Sequence, residues 1–127
     1  KNHNISANTT SSWVNVSGCF GQITKDVALN GCENHGKVQF TGTNSGNKSL
    51  NLAGIAGGCM NLTLKNCKNL GSINCNAAAK NSGGTNIGGL IGLVNSNVTL
   101  TFENCANGSE TDNTLGSLTN ISESGTR

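Results

Sequence analysis

Short runs in which apolar and polar residues alternate recur along the chain. Residues 38–40, 62–64 and 98–102 each show the two-residue period of a strand that buries one face. Residues 77–80 form the only Ala-rich run, and Asn and Gly flank it closely, so a long helix is not expected. The pattern therefore predicts an all-β protein.

These alternating runs lie within a longer segment that occurs three times. Each copy opens with an Asn and a cluster of Gly and apolar residues, continues through a strand-like run, and closes with Cys-x-Asn and a Gly. The copies begin at Asn15, Asn51 and Asn86, so their offsets are 36 and 35 residues. A fixed period of this size marks a repeat architecture, in which each unit buries its apolar face against its neighbours. We predict a parallel β-helix, or β-solenoid, of about three coils with roughly 35 residues per repeat.

The repeat divides the chain into five segments. They are a polar N-terminal segment over 1–14, repeats over 15–50, 51–85 and 86–115, and a polar C-terminal segment over 116–127. Residues 41–49 and 76–85 are rich in Asn, Gly, Ser and Thr, which predicts loops that leave the stack.

Glycines alternate with aliphatic residues near the start of the second and third copies, at Gly54, Gly57, Gly58, Gly88, Gly89 and Gly92. This alternation predicts a strand whose outer face is bare or closely approached by another backbone. The first copy departs from the pattern, with Ser17, Gly18, Cys19 and Phe20 in the corresponding places, as is typical of a terminal coil.

An Asn follows the repeated Cys by two residues in every copy, at Asn34, Asn69 and Asn107. Asn tolerates left-handed backbone, and stacked Asn side chains form a ladder of amide hydrogen bonds between neighbouring strands. A Gly comes soon after each of them and permits a sharp corner. We predict one Asn ladder along the solenoid.

The six cysteines fall into two groups. The first group has the same position in every copy and consists of Cys32, Cys67 and Cys105. Equivalent residues of stacked strands lie about 4.8 Å apart, and free Cys packs as a small hydrophobe, so a buried thiol column and disulfides are both open for this group. The second group consists of Cys19, Cys59 and Cys75, which do not recur at equivalent positions of the copies. These three are the better candidates for a disulfide. We expect at most two disulfides.

The second and third copies resemble the GLUG repeat of long surface adhesins and bacterial IgA-peptidase-like proteins. The matching motifs are NLAGIAG from Asn51 with KNCKNLGSI from Lys65, and NIGGLIG from Asn86 with ENCANGS from Glu103. The resemblance covers roughly residues 15 to 110 and is weakest in the first copy. It implies a right-handed β-solenoid in an extracellular protein. The repeat of that family carries no catalytic residue, so the resemblance transfers none.

Eight Asn-x-Ser/Thr acceptors indicate an extracellular or cell-surface glycoprotein, at Asn4, Asn8, Asn15, Asn47, Asn61, Asn97, Asn107 and Asn120. Such triplets also arise by chance in a chain rich in Asn and Thr, so both interpretations stay open. We expect glycans first at Asn4, Asn8, Asn47 and Asn120.

The surface is close to neutral. Charged residues make up 11% of the chain, aromatic residues 3%, and the net charge is +2 with scattered Lys and Arg. Nucleic-acid binding is therefore not expected. No apolar run approaches the roughly 20 residues that cross a bilayer, so no membrane-spanning segment is expected. The opening KNHNISANTT does not have the pattern of a signal peptide, which favours a mature form or an excerpt.

The sequence offers little catalytic or metal-binding chemistry. The six acidic residues do not recur at equivalent positions, and Glu110 with Asp112 is a pair on a turn that we expect to be solvated. Cys32 and His35 have the spacing of zinc ligands, but no second pair completes a site. We predict no enzyme and no cofactor.

Three functions remain as hypotheses. The first is a rigid stalk or fibre that stacks coil on coil with adjoining repeats or with other copies, because solenoid ends need caps and neither terminus has the composition of one. The second is an adhesin module that binds glycans or a host surface through loops 41–49 and 76–85. The third, ice binding through Thr63, Thr99 and Thr101, ranks last because the Thr array is irregular.

Overall fold

The computed structural model describes residues 3–7, 13–42, 49–76 and 84–108, together with the backbone of 118–120. These residues form strands and turns and no helix. All strand pairs are parallel, and equivalent strands of successive repeats lie side by side. The prediction of an all-β parallel solenoid of three coils is confirmed.

Each coil contains five strands. A short strand β1, Ile5–Ala7, precedes the first coil. The first coil comprises β2 Val14–Ser17, β3 Phe20–Ile23, β4 Val27–Asn30, β5 Glu33–Asn34 and β6 Val38–Phe40. The middle coil comprises β7 Leu50–Ala53, β8 Ala56–Cys59, β9 Leu62–Lys65, β10 Lys68–Asn69 and β11 Ile73–Cys75. The third coil comprises β12 Thr85–Gly88, β13 Ile91–Val94, β14 Leu100–Glu103, β15 Ala106–Asn107 and β16 Leu118–Asn120.

The strands stack into five parallel sheets, which we number I to V in the order of the strands along a coil. Sheet I contains β2, β7 and β12; sheet II contains β3, β8 and β13; sheet III contains β4, β9 and β14; and sheet IV contains β5, β10 and β15. Sheet V has four strands, in the order β1, β6, β11, β16. β1 therefore occupies the fifth-strand position of a coil that would precede the first one.

The register aligns the three copies residue by residue. Asn51 pairs with Asn15 on one side and with Asn86 on the other. Leu64 in the middle coil lies in the same way between Leu29 and Phe102. Side chains of the same type therefore form columns along the solenoid axis.

Two clusters of buried side chains fill the interior. The first, from sheets I and V, consists of Val14, Val16, Val38, Phe40, Leu50, Leu52, Ile73 and Cys75. The second, from sheets II and III and the corners beside them, consists of Ile23, Ile55, Ala56, Cys59, Leu62, Leu64 and Cys67. Small aliphatic side chains make up most of the interior, in keeping with the scarcity of aromatic residues in the sequence.

A left-handed corner separates sheets III and IV in every coil. Its residues are Gly31, Asn66 and Asn104, with φ of 71°, 52° and 52°. Only Gly and Asn adopt this conformation at little cost. The strand of sheet III ends before this corner in every coil, and the repeated Cys lies just beyond the corner.

The structure adds two strands to the polar terminal segments, β1 before the first repeat and β16 after position 116. Of the loops expected at 41–49 and 76–85, residues 43–48 and 77–83 lie outside the described residues. The loop expected at 76–85 ends earlier than expected, because Thr85 already pairs with Leu50 at the start of β12.

Candidate functional site

The two ends of the stack expose side chains whose equivalents in the middle coil are buried. Leu62 is 2% exposed, whereas its neighbour Val27 in the first coil is 37% exposed. Leu64 is fully buried, whereas its neighbour Phe102 in the third coil is 50% exposed. We call the outer edges of β2–β5 the first-coil end and the outer edges of β12–β15 the third-coil end.

Each end carries further large apolar residues. Phe20 is exposed at the first-coil end and Val94 at the third-coil end. Trp13, which directly precedes β2, is 47% exposed. Among the described residues, the large exposed apolar side chains thus belong to the first and third coils or to β1, and none belongs to the middle coil.

Asn34, Asn69 and Asn107 form a hydrogen-bonded column, which we call the Asn34 ladder. The Asn34 Nδ2 group donates to Asn69 Oδ1 at 2.7 Å, and Asn69 Nδ2 donates to Asn107 Oδ1 at 2.7 Å. Asn34 and Asn69 also donate to the carbonyl oxygens of Gly36 at 2.9 Å and Gly71 at 3.0 Å. These bonds hold the corner between sheets IV and V while linking the coils.

Glycines make room for this ladder inside the solenoid. A Cβ atom on Gly18, Gly54 or Gly89 would overlap the side chain of Asn34, Asn69 or Asn107 respectively. These three glycines therefore face the interior. The sequence analysis expected the glycine strand to be bare on its outer face, and the structure shows that the inner side needs the space at these positions.

A second column, the Asn15 ladder, lies in sheet I. Asn51 Nδ2 donates to Asn15 Oδ1 at 2.7 Å, and Asn86 Nδ2 donates to Asn51 Oδ1 at 2.7 Å. At the first-coil end, Asn15 Nδ2 donates to Gln22 Oε1 at 3.0 Å. The sequence analysis used these asparagines only to mark the start of each copy, although their exact recurrence was a signal for this ladder.

A third column, the Asn30 ladder, lies on the surface at the left-handed corner. Asn66 Nδ2 donates to Asn30 Oδ1 at 2.9 Å, and Asn104 Nδ2 donates to Asn66 Oδ1 at 2.7 Å. Sequence reasoning missed this ladder because Asn30 precedes the corner, whereas Asn66 and Asn104 form it.

The three ladders have a direction. In the Asn34 ladder each amide donates from a lower-numbered coil to the next one. In the Asn15 and Asn30 ladders each amide donates back toward the first coil. The two ends of the stack therefore present different hydrogen-bonding atoms.

The cysteines carry no disulfide. Cys32, Cys67 and Cys105 each directly precede residues paired between coils, so they form a column, with Cys67 buried and the other two partly exposed. The expected pair among Cys19, Cys59 and Cys75 is not formed. The three thiols are not placed to form a disulfide, because Cys59 and Cys75 are buried in different core clusters and Cys19 is exposed.

The thiol environment disfavours ionisation. Burial raises the pKa of Cys59, and partial desolvation raises the pKa of the more exposed Cys19 and Cys32, above the ordinary thiol value. The neighbouring Cys67 raises the pKa further for Cys19 and Cys32. A thiol whose pKa is higher in the folded state stabilises that state at neutral pH, and the contribution is lost as the pH rises above the ordinary thiol value. The structure thus favours protonated, weakly nucleophilic thiols.

The glycosylation candidates have unequal surroundings. Asn4, Asn97 and Asn107 are exposed. Asn4 Oδ1 accepts a hydrogen bond from the Lys37 backbone at 2.9 Å, and Asn97 is in a left-handed turn with φ of 60°. Asn15 and Asn107 belong to ladders. Asn61 accepts a hydrogen bond from the Thr99 backbone at 2.7 Å.

The remaining acceptors are less fully described. Asn8 and Asn47 lie outside the described residues, and only the backbone of Asn120 is described. Exposure outside the ladders therefore favours glycans at Asn4 and Asn97 among the acceptors whose side chains are described.

A shallow groove crosses the outer face of sheet III. Asp26, Asn61, Thr63, Thr99 and Thr101 contribute polar groups to it. Thr63 pairs directly with Thr101, but Ala28 takes the same column in the first coil. The Thr array that ice binding needs is thus interrupted in the first coil.

Metal-binding chemistry is sparse in the described part of the chain. His35 Nε2 lies 2.8 Å from Glu33 Oε2 on the surface, and no group of three or more His, Cys, Asp and Glu residues there could hold a metal ion. Glu110 and Asp112 lie outside the described residues. No helix of the described ranges is long and apolar enough to cross a membrane.

Comparison with known proteins finds no matching family model, no matching curated protein and no matching solved structure.

Proposed function

We propose that this chain is a non-enzymatic structural segment of an extracellular glycoprotein, and that its coils stack on further coils to form a rigid stalk or fibre. The observation that carries the proposal is the contrast in burial between Leu64, which is fully buried, and its column neighbour Phe102, which is 50% exposed. The core side chains of the middle coil are buried because a coil lies on each side of them, and the corresponding side chains at the two ends are covered on one side only by the described residues.

The two ends match each other as successive coils do. If the register is continued by one coil, Val27 of one copy takes the place next to Leu100 of another, and Leu29 takes the place next to Phe102. These are all aliphatic or aromatic side chains, like those that already pair inside the stack. Burying them removes apolar surface from water, at about 25 cal/mol per Å².

Open strand edges add a second incentive. The outer edges of β2–β5 and β12–β15 have no partner strand among the described residues. Unpaired backbone edges favour the addition of further strands. The extracellular setting is supported by the exposed acceptors Asn4 and Asn97, whose side chains offer room for glycans.

Light scattering of the purified chain over a range of concentrations tests the proposal, with electron microscopy of the concentrated sample. We expect the mass to rise with concentration and rods to appear. Phe102→Lys, which places a charge at the third-coil end, is expected to suppress this association. Asn74→Lys, on the outer face of sheet V in the middle coil, is the matched control and should leave association unchanged. A strictly monomeric, stable chain would contradict the proposal.

The adhesin hypothesis remains the second candidate because of where its two loops emerge. One connects β6 to β7 and the other connects β11 to β12, and both flanking strand pairs are in register. The described residues that flank the two loops therefore lie at the same corner of the solenoid in successive coils, as the supports of a single binding face would. Binding to a glycan array that disappears on shortening both loops, with the fold retained, would support this candidate over the stalk.

A further inference from the structure

The described ends of the three Asn ladders are complementary. At the first-coil end, the Asn15 and Asn30 ladders terminate in amide groups that have donated to no earlier coil, and the Asn34 ladder terminates in Asn34 Oδ1. At the third-coil end the order is reversed, because Asn86 and Asn104 are the last donors of their ladders, and each of these ladders ends in an Oδ1 atom that accepts from no later coil. One end thus offers donors where the other offers acceptors.

We infer that the partner at each end is a second copy of this chain, stacked head to tail, with the third-coil end of one copy on the first-coil end of the next. The inference rests on the proposed function and adds the direction of stacking and the ladder atoms that meet at the contact. Asn15 and Asn30 of one copy would donate to Asn86 and Asn104 of the copy before it.

Translation along the axis is the operation that preserves these contacts. Every strand pair in the described part of the chain is parallel, and each ladder repeats with an unchanged direction from coil to coil. Head-to-tail stacking extends the parallel pairing and the Asn15 ladder without change. In the Asn30 ladder, Asn30 takes the place of the corner Asn at the contact, because the corner residue of the first coil is Gly31. A head-to-head contact would replace parallel pairing at the interface with antiparallel pairing and would bring two identical, non-complementary ladder ends together.

The apolar columns support the same direction. Continuing the register places Phe20 next to Ile91 and Ile23 next to Val94 in sheet II. Phe20 and Val94, both well exposed, would then become buried. Heterologous contacts of this kind form open assemblies unless the rotation closes a ring.

Two local features shape the contact. Asn15 Nδ2 already donates one hydrogen to Gln22 Oε1, which leaves its second hydrogen for the neighbouring copy. In sheet V, β1 occupies the place next to β6 that β16 of the preceding copy would otherwise take. The contact is therefore made through sheets I to IV, and it requires β16 of the preceding copy to leave its place beside β11, which β1 then takes.

Two variants, each blocked at one end, test the direction. Val27→Lys blocks the first-coil end, and Phe102→Lys blocks the third-coil end. Both replace side chains that are at least a third exposed, so we expect both to fold, as far-UV circular dichroism can check. Light scattering then gives the mass of the wild type, of each variant alone, and of their equal mixture.

We expect the wild type to associate, each variant alone to stay monomeric, and the mixture to form dimers and nothing larger. If either variant alone forms dimers, the ends pair with themselves and the direction is wrong, although stacking itself stands. If the wild type stays monomeric at every concentration, the proposed function and this inference fail together.

Asn30→Asp is a milder variant that tests the ladder itself. A carboxylate keeps the oxygen that accepts from Asn66 within the chain and loses the hydrogen that would reach Asn104 of the preceding copy. We expect the dissociation constant of association to rise at least about tenfold, equivalent to about 1.4 kcal/mol, with unchanged thermal unfolding of the monomer. An unchanged dissociation constant would exclude a contribution of this ladder to stacking. Val94→Lys replaces Phe102→Lys if that variant does not fold.

Discussion

Leu64 in the middle coil and Phe102 in the third coil occupy the same column, yet they differ in what covers them. Leu64 has a strand of the same sheet on each side and is fully buried, whereas Phe102 has a partner strand on one side and is 50% exposed. The sequence of each copy is similar, so the difference arises from the number of neighbours. In a solenoid the environment of a residue is set by its coil as much as by its type.

The same contrast applies to the polar ladders. Asn69 is fully buried and forms ladder hydrogen bonds with the coils on both sides. The ladder contact of Asn30 is a single one, in which its oxygen accepts from Asn66 of the next coil. A buried amide is costly to leave unsatisfied, and an exposed one bonds to water. Middle-coil substitutions should therefore affect folding, and end substitutions should affect association.

The largest effect is expected for Asn69→Asp. The carboxylate would keep the contact with Asn34 but lose both hydrogens that now go to Gly71 and Asn107. An uncompensated buried charge costs about 3–5 kcal/mol, so the free energy of unfolding in urea should fall by that amount or the chain should fail to fold. Lowering the pH returns a proton to the carboxyl group and with it part of the stability. Asn30→Asp serves as the matched control, and comparable losses in the two variants would refute the contrast.

Leu64→Ala should come next. Removing a fully buried Leu side chain costs about 2–5 kcal/mol, depending on how far the surroundings collapse. Phe102→Ala in the same column should cost the monomer about 1 kcal/mol, because half of that ring is already in water. Chemical denaturation at low concentration measures both. Equal losses would mean that Phe102 is covered in solution, for example by a second copy.

The sequence predicted the period, the parallel stacking and the residues that align between coils, because Asn15, Asn51 and Asn86 recur at the same place in every copy. It did not predict five strands per coil. The two-residue strands β5, β10 and β15 are too short to show a period of two, and backbone pairing between coils alone defines them.

Interior contacts between distant segments were also beyond the sequence. Gly54 accommodates Asn69, fifteen positions later in the chain, and no local pattern connects the two. β1 lies in a polar segment and is recognisable as a strand only through its pairing with β6. The candidate stacking surface was inferred in outline from uncapped repeats, but its donor and acceptor atoms required the coordinates.

A smaller loss is expected for Gly54→Ala. The added methyl group would overlap the Asn69 side chain and the carbonyl oxygen of Gly89, and the backbone oxygen cannot move without shifting β12 or β13. Overpacking of this kind costs about 1–3 kcal/mol, occasionally more. Gly89→Ala in the third coil meets only the Asn107 side chain at the closest positions, so it should cost less.

Gly58→Ala controls for the loss of glycine itself. Its Cβ would lie 3.6 Å from Asn15 Oδ1, which is ordinary contact. We expect its midpoint of thermal unfolding to stay close to that of the wild type. A loss equal to that of Gly54→Ala would show that the backbone, rather than the space beside Asn69, requires glycine.

The smallest effect, and the only gain, is expected for Thr85→Val in the third coil. Thr85 pairs with Leu50 of the middle coil, is fully buried, and its Oγ1 atom has no hydrogen-bond partner in the described structure. Replacing a buried unsatisfied hydroxyl by a methyl group of similar shape should raise the free energy of unfolding by about 1 kcal/mol. Thr101→Val, on the exposed face of the same coil, should change it by less than about 0.5 kcal/mol. A loss of stability in Thr85→Val would show that the hydroxyl group has a hydrogen-bond partner in solution. Thr85 would then stabilise the third coil through its hydroxyl group, and not only through apolar packing as Leu50 does in the middle coil.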